Sequence, residues 1–248
     1  METASKDVLF TVAMKLDLPN LLRWCSTSSR INRDVCNNDN LWRAKLLKDY
    51  PDGYPDYQIF NMKNSLREMY IFLYQLSWIK KVLQTNESIY DIFLKEKIHL
   101  SRKGLKKLPA FDLPNLQSLS LYGNQLIEVP DFNLPRLQSL SLEYNQLTAV
   151  PAFHLPKLQI LFLNHNQLTE VPAFDLPNLQ QLYLSNNQLT EVPAFDLPNL
   201  QRLYLHNNQL TEVPAFNLPK LQIFYLYNNQ LKAEEQRKVN EKYRFVQL

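Results

Sequence analysis

From about Ile98 the chain copies itself every 21 residues, and this period constrains the fold more than any other feature of its 248 residues. Asn124, Asn145, Asn166, Asn187, Asn208 and Asn229 are successive members of one series. The unit reads L-P-x-L-Q-x-L-x-L-x-x-N-Q-L-T-E-V-P-A-F-D. A worn earlier copy, Ile98 through Asp112, keeps the phase but has Lys103 where Asn belongs, and the last copy stops after Leu231. Such a period implies a solenoid whose units bury their apolar faces against each other. Two prolines per unit leave no room for paired helices, since Pro interrupts a helix and biases its predecessor toward extended geometry.

Alternation at Leu119/Leu121, Leu182/Leu184 and Leu203/Leu205 is strand-like, with one face inward. Strands stack about 4.8 Å apart, so equivalent positions form columns. Leu116, Leu137, Leu158, Leu179, Leu200 and Leu221 make one buried column. Phe111, Phe132, Phe153, Phe174, Phe195 and Phe216 make an aromatic spine nearer the convex side. The Asn column sits where the chain leaves the strand and backbone groups lack ladder partners. A side-chain amide, donor and acceptor at once, can satisfy them in its own coil and the next. Those six asparagines are therefore read as structural.

The stretch Leu179-Gln180-Gln181-Leu182-Tyr183-Leu184-Ser185-Asn186-Asn187-Gln188-Leu189 resembles the leucine-rich repeat. The resemblance covers about 98–232 and implies a curved solenoid with a parallel sheet on its concave side. Most members of that family bind proteins, but the repeat names no partner.

Function is sought where copies differ. Between the inward leucines the sequence reads Ser120, Ser141, Phe162, Tyr183, Tyr204, Tyr225. Two positions earlier it reads Ser118, Ser139, Ile160, Gln181, Arg202, Ile223; two later, Tyr122, Glu143, Asn164, Ser185, His206, Tyr227. The concave face thus passes from small and polar to aromatic. Exposed Tyr beside Arg is the composition of an interface centre. Ile160, Phe162, Tyr183, Arg202, Tyr204, His206, Ile223, Tyr225 and Tyr227 are the expected contacts for a protein or peptide. The competing account is that strands favour aromatic residues and adjacent rings protect one another.

Other chemistry is not indicated. The formal charge of +3 is too small for the footprint of a nucleic-acid binder. Gly53, Gly104 and Gly123 are too scattered for a phosphate loop. His165 and His206 lie two coils apart, so neither a shared metal nor a cofactor is expected, and no catalytic constellation appears. Cys25 and Cys36 form neither a disulfide framework nor a four-ligand zinc site, and a reducing compartment is their simplest home. With no signal-peptide pattern and no apolar run long enough to span a membrane, an intracellular, cytoplasmic protein is expected.

Residues 1–97 have helical spacing: Leu9, Val12 and Leu16; then Leu21, Leu22 and Cys25 after Pro19; Ile31 and Val35; Leu41-Trp42 with Leu46. Pro51-Asp52-Gly53-Tyr54-Pro55 breaks the series, and a longer helix is expected from about Ser65 to Leu83. Asp7-Val8-Leu9-Phe10-Thr11-Val12, Asp17-Leu18, Ser28-Ser29-Arg30-Ile31 and Asp39-Asn40-Leu41-Trp42 follow the order of an F-box. The match departs from that family at Ala4-Ser5 and Ile31.

An F-box joined to leucine-rich repeats resembles a substrate receptor of a Skp–cullin–F-box ubiquitin ligase, and the whole chain resembles the short F-box/leucine-rich-repeat proteins of large DNA viruses of amoebae. The resemblance implies a non-enzymatic adaptor in host cytoplasm. Leu9, Val12, Leu18, Leu21 and Leu22 would meet the Skp adaptor as exposed apolar side chains. The alternative is a protein-binding module whose helices only cap the first coil. The expected organisation is an α+β two-part chain: an F-box-like helical domain (1–50), a helical connector and cap (51–97), repeats (98–232) and a closing cap helix (233–248) with Val239 and Tyr243 on one face.

Overall fold

The computed structural model describes residues 5–50, 65–243 and 246–248, so Ala4 and the break expected at Pro51–Pro55 lie outside the described residues. The chain divides into two compact units, Met1–Trp78 and Ile79–Leu248.

The first unit begins with helices α1 (Lys6–Lys15) and α2 (Leu18–Cys25), started by Ser5 and Asp17 as N-caps. Pro19 falls in the first turn of α2, where its missing N–H costs nothing. A single turn, α3 (Ser29–Ile31), continues as a π-helix over Asn32–Cys36, and α4 (Asp39–Asp49) follows. Trp42 is buried, and its indole N–H donates to the Cys36 carbonyl at 2.7 Å. The buried Lys45 ammonium donates to the Leu16 carbonyl at 2.9 Å and lies 3.3 Å from the Asp49 carboxylate. Asp49 also accepts from the Tyr70 hydroxyl, and burial, followed by that hydrogen bond, pushes the phenol well above its ordinary value. Tyr70 lies on α5 (Leu66–Leu83), where the sequence places a long helix.

Two expectations for this unit are corrected. Cys25 and Cys36 are joined by a disulfide, with Cα atoms 5.9 Å apart. The tight path from α2 through the π-helix brings the two thiols together, which spacing alone does not reveal. The pairing removes the argument for a reducing compartment. Leu9, Leu18 and Leu21 are 2%, 4% and 0% exposed, so they are not the open apolar side chains that an adaptor would meet. The bundle has room for them because Ala13, not Val12, shares the inward face of α1, and α1 packs on both α4 and the π-helix. Leu22 is half-buried, while Val12 remains 39% exposed.

The second unit contains α6 (Ile89–Leu94), which the sequence reading did not foresee, capped reciprocally by Ser88 and Asp91. It leads into β1 (Lys97–His99). Strands β2 (Ser118–Ser120), β3 (Ser139–Ser141), β4 (Ile160–Phe162), β5 (Gln181–Tyr183), β6 (Arg202–Tyr204) and β7 (Ile223–Tyr225) follow at the repeat interval. After helix α7 (Ala233–Lys242) the chain returns as β8 (Val246–Gln247). All eight strands are parallel and in sequence order, with Leu182 opposite Leu203 in a register one repeat apart. The return of the chain as β8 was not legible in the sequence, because no copy of the repeat follows Leu231. Val239 on α7 and Tyr243 at its C-terminal end are both buried.

Inside the coils the leucine column from Leu116 to Leu221 is at most 7% exposed. Burying one such side chain stabilises by about 1.5–3 kcal/mol. The phenylalanines from Phe111 to Phe216 stack with neighbouring centroids 5.5–6.5 Å apart.

The Asn column forms a continuous ladder, and each member serves its own coil and the one before it, not the one after. Asn187 Nδ2 donates to the Leu184 carbonyl in its own coil and to the Leu163 carbonyl of the preceding one, both at 3.0 Å. Its Oδ1 accepts from Leu168 N–H at 3.1 Å, again in the preceding coil. Asn145, Asn166 and Asn208 repeat this pattern, as do Asn124, the first of the ladder, and Asn229, the last. Replacing Asn187 by Leu should cost about 1–3 kcal/mol for each backbone group left dry and unpaired. Glu191→Gln, at an exposed site, should change little. Denaturant melts of both variants check this, and an Asn187→Leu curve matching the parent contradicts the ladder.

Candidate protein-binding face

The concave face is built from strand residues whose neighbours are buried. Leu161, Leu182, Leu203 and Phe224 are inward at 0% exposure, so the residues on either side of each point outward. Because equivalent positions fall one strand apart, identical chemistry in successive copies becomes stacked chemistry. Phe162 and Tyr183 lie with centroids 4.6 Å apart, and Tyr183 and Tyr204 at 4.4 Å with planes 7° from parallel. Tyr225 continues the row edge-on to Tyr204 at 5.1 Å. All four rings are half-buried.

Polar contacts hold the rings in place. The Tyr183 hydroxyl donates to Gln181 Oε1 at 2.8 Å, so Gln181 belongs to the face although the sequence reading did not select it. Burial, then the neighbouring Tyr183 hydroxyl, raises the Tyr204 phenol above its ordinary value. His206 and Tyr227 stack at 4.6 Å beside Tyr225. Ile160 and Ile223 are half-buried at the outer edge, with Arg202 exposed between them. All nine residues selected from the sequence therefore lie on one face. On the first coils that face is small and polar, with the Ser120 and Ser141 hydroxyls 3.3 Å apart.

A second row was missed. Just before Lys103 and each of the six ladder asparagines stand Arg102, Gly123, Tyr144, His165, Asn186, Asn207 and Asn228, all with φ near +55° to +67°. Tyr144 stacks on His165 at 4.1 Å and meets Tyr122 edge-on at 5.3 Å. The signal was present in the sequence as a repeat position filled by Gly, Asn or a bulky ring.

Among the described residues no group of three or more His, Cys, Asp or Glu stands together as metal ligands. No described helix is long and apolar enough to cross a membrane.

Burial, then the charge that His165 can carry, lowers the His206 imidazole from its ordinary value of 6.5. The unfolded chain therefore binds this proton more readily than the folded one. Its contribution to stability is complete above about pH 6.5 and is lost as the pH falls through the folded value. His206→Gln should flatten part of the acid-side fall in melting temperature, measured between pH 7 and pH 5.

Comparison with known proteins supports the architecture. The family "Leucine Rich repeats (2 copies)" matches at residues 114–154, 135–176, 156–197, 177–214 and 198–236. Among solved structures, YopM from Yersinia enterocolitica WA-314 is similar, with 26% identity and a TM-score of 0.52 over 73% of this chain and 37% of that one. This chain thus spans little more than a third of that protein's length. No curated protein matches it. Matching segments that overlap from residue 114 to 236, over a parallel solenoid in the same register, make this chain a leucine-rich-repeat protein.

Proposed function

We propose that this chain is a non-catalytic protein-binding module that holds a peptide or loop along the C-terminal half of its concave face. The row Phe162, Tyr183, Tyr204 and Tyr225 carries this reading. Four half-exposed rings are held in fixed positions by their neighbours and therefore have little conformational entropy left to lose on binding. Arg202, exposed beside them, supplies a charge of the kind enriched in energetic centres of interfaces.

A finer role is substrate recognition within a Skp–cullin–F-box ubiquitin ligase, with residues 1–50 docking a Skp adaptor. It rests on the resemblance of those residues to an F-box and on Val8 and Val12, 54% and 39% exposed one helical turn apart on α1. The burial of Leu9, Leu18 and Leu21 favours the other reading, in which the repeats bind a partner with no link to ubiquitin. The Cys25–Cys36 disulfide favours it too, since such bonds are rare in the reducing cytoplasm.

Two measurements separate these readings. Tyr183→Ala combined with Tyr204→Ala should abolish capture of the partner with the fold retained, at a cost of about 0.5–1.5 kcal/mol per ring pair beyond the burial lost with each half-buried ring. Unfolding of that variant would make the rings structural and place binding elsewhere. For the finer role, the purified full chain should bind a Skp adaptor at micromolar concentration, and Val8→Asp with Val12→Asp should remove that binding with the fold retained. No binding by the parent leaves the repeat module alone.

A further inference from the structure

We infer that Glu143 and Asn164, with Tyr144 and His165 beside them, form a site for the guanidinium group of an arginine side chain on a partner. The site lies on the third and fourth coils, away from the row formed by Tyr183, Tyr204 and Tyr225.

Three independent observations meet there. Glu143 Oε2 and Asn164 Oδ1 are both closed to water and have no hydrogen-bond partner. They occupy equivalent positions of adjacent coils, about 4.8 Å apart along the stack. Two orphaned acceptors so placed need donors, and a planar fork of N–H groups on one cation is the group that offers several at once. Both residues are only half-buried on the outward face, and a guanidinium reaches these oxygens once each terminal carboxylate or amide turns toward the surface.

The second observation is strain. Tyr144 holds φ +56°, a conformation suited to glycine or asparagine and disfavoured for a bulky side chain. Most other coils lower the cost: Gly123 stands one copy earlier, and Asn186, Asn207 and Asn228 stand later, while Arg102 and His165 share the strain. Those asparagines also bond to each other, at 2.9 and 2.7 Å. A ring kept where asparagine fits better is the pattern of a residue retained for function.

Charge is the third. Glu143 is the carboxylate among the outward positions of the concave strands, and among the described residues it has no ion-pair partner. The chain already packs a guanidinium on this row: Arg102 lies 5.1 Å over the Tyr122 ring and donates to its hydroxyl at 3.2 Å. Tyr144, 47% exposed, is the next ring along, and a guanidinium against it gains both the ring and the carboxylate.

The test titrates the full chain with acetyl-Gly-Arg-Gly-amide and with its lysine and citrulline counterparts, following the ring-proton resonances of Tyr144 and His165. The arginine peptide should give a saturable shift, and citrulline, the same shape without the charge, should bind about tenfold more weakly or worse. Glu143→Gln should lose a similar factor. Tyr144→Asn should lose binding, read at His165, while melting no lower than the parent because asparagine suits the backbone; this separates a lost site from a lost fold. Tyr183→Ala with Tyr204→Ala should leave the titration unchanged. No saturable shift at millimolar peptide, an equal response to citrulline or lysine, or retained binding in Glu143→Gln or Tyr144→Asn overturns the assignment.

Discussion

Everything in the repeat unit depends on the asparagine ladder. A 21-residue coil must leave its strand sharply, and the turn strands carbonyls and N–H groups in a dry interior. Each ladder side chain closes that turn by bonding across to the previous coil, so coil-to-coil spacing is set by polar geometry as well as by the leucines. The ladder also has a direction. Asn124 serves Leu100 and Leu105 in the first coil, which therefore needs no asparagine of its own. Lys103 at that position is exposed and tolerated because no coil before it needs closing. What reads in the sequence as decay is a consequence of the ladder's polarity.

Once the framework is repeated so closely, the outward positions lose their independence. Any residue chosen twice in succession faces itself at strand spacing, and aromatic choices become stacks. The serines of β2 and β3 give a hydroxyl row, and the rings of β4 to β7 give an aromatic one. Stacking protects the rings and also stiffens them. The same contacts that make the row look merely structural therefore prepare it as a binding surface.

The solenoid was legible because its information is periodic. Column membership, strand direction and the buried faces follow from counting, and the nine concave residues could be named from two alternating leucines. The helical unit was legible only in outline. Helix positions followed from apolar spacing, but Leu9, Leu18 and Leu21 were expected at the surface and lie in the bundle, while Val12 stays exposed because Ala13 takes the inward place on its helix. The pairing of Cys25 with Cys36 depends on a π-helical turn that no spacing announces. The last strand, β8, arises from a segment with no repeat signature and pairs only because β7 offers an open edge. The Tyr144 row was overlooked for a different reason: its mark in the sequence, a position shared by Gly, Asn and bulky rings, takes on a meaning only when φ is known.

A chain of near-identical copies supplies its own standard for what each position prefers, so departures can be sorted by whether they cost stability. Lys103 departs from the ladder at no cost, since nothing dry is left unpaired by it. Glu143 and Asn164 depart from a column where Ser185 is buried and quiet, and they leave acceptors without donors. Tyr144 stands in a row that most other coils fill with glycine or asparagine, and takes on a left-handed backbone that costs roughly 1–2 kcal/mol for such a residue. In a solenoid each coil is held by both neighbours, so a local loss of this size is shared across the stack and does not unfold it. Costly departures can therefore persist where they serve binding; on the third and fourth coils two orphaned acceptors and two strained rings coincide, whereas the strained Arg102 and the unpaired His206 Nδ1 stand singly.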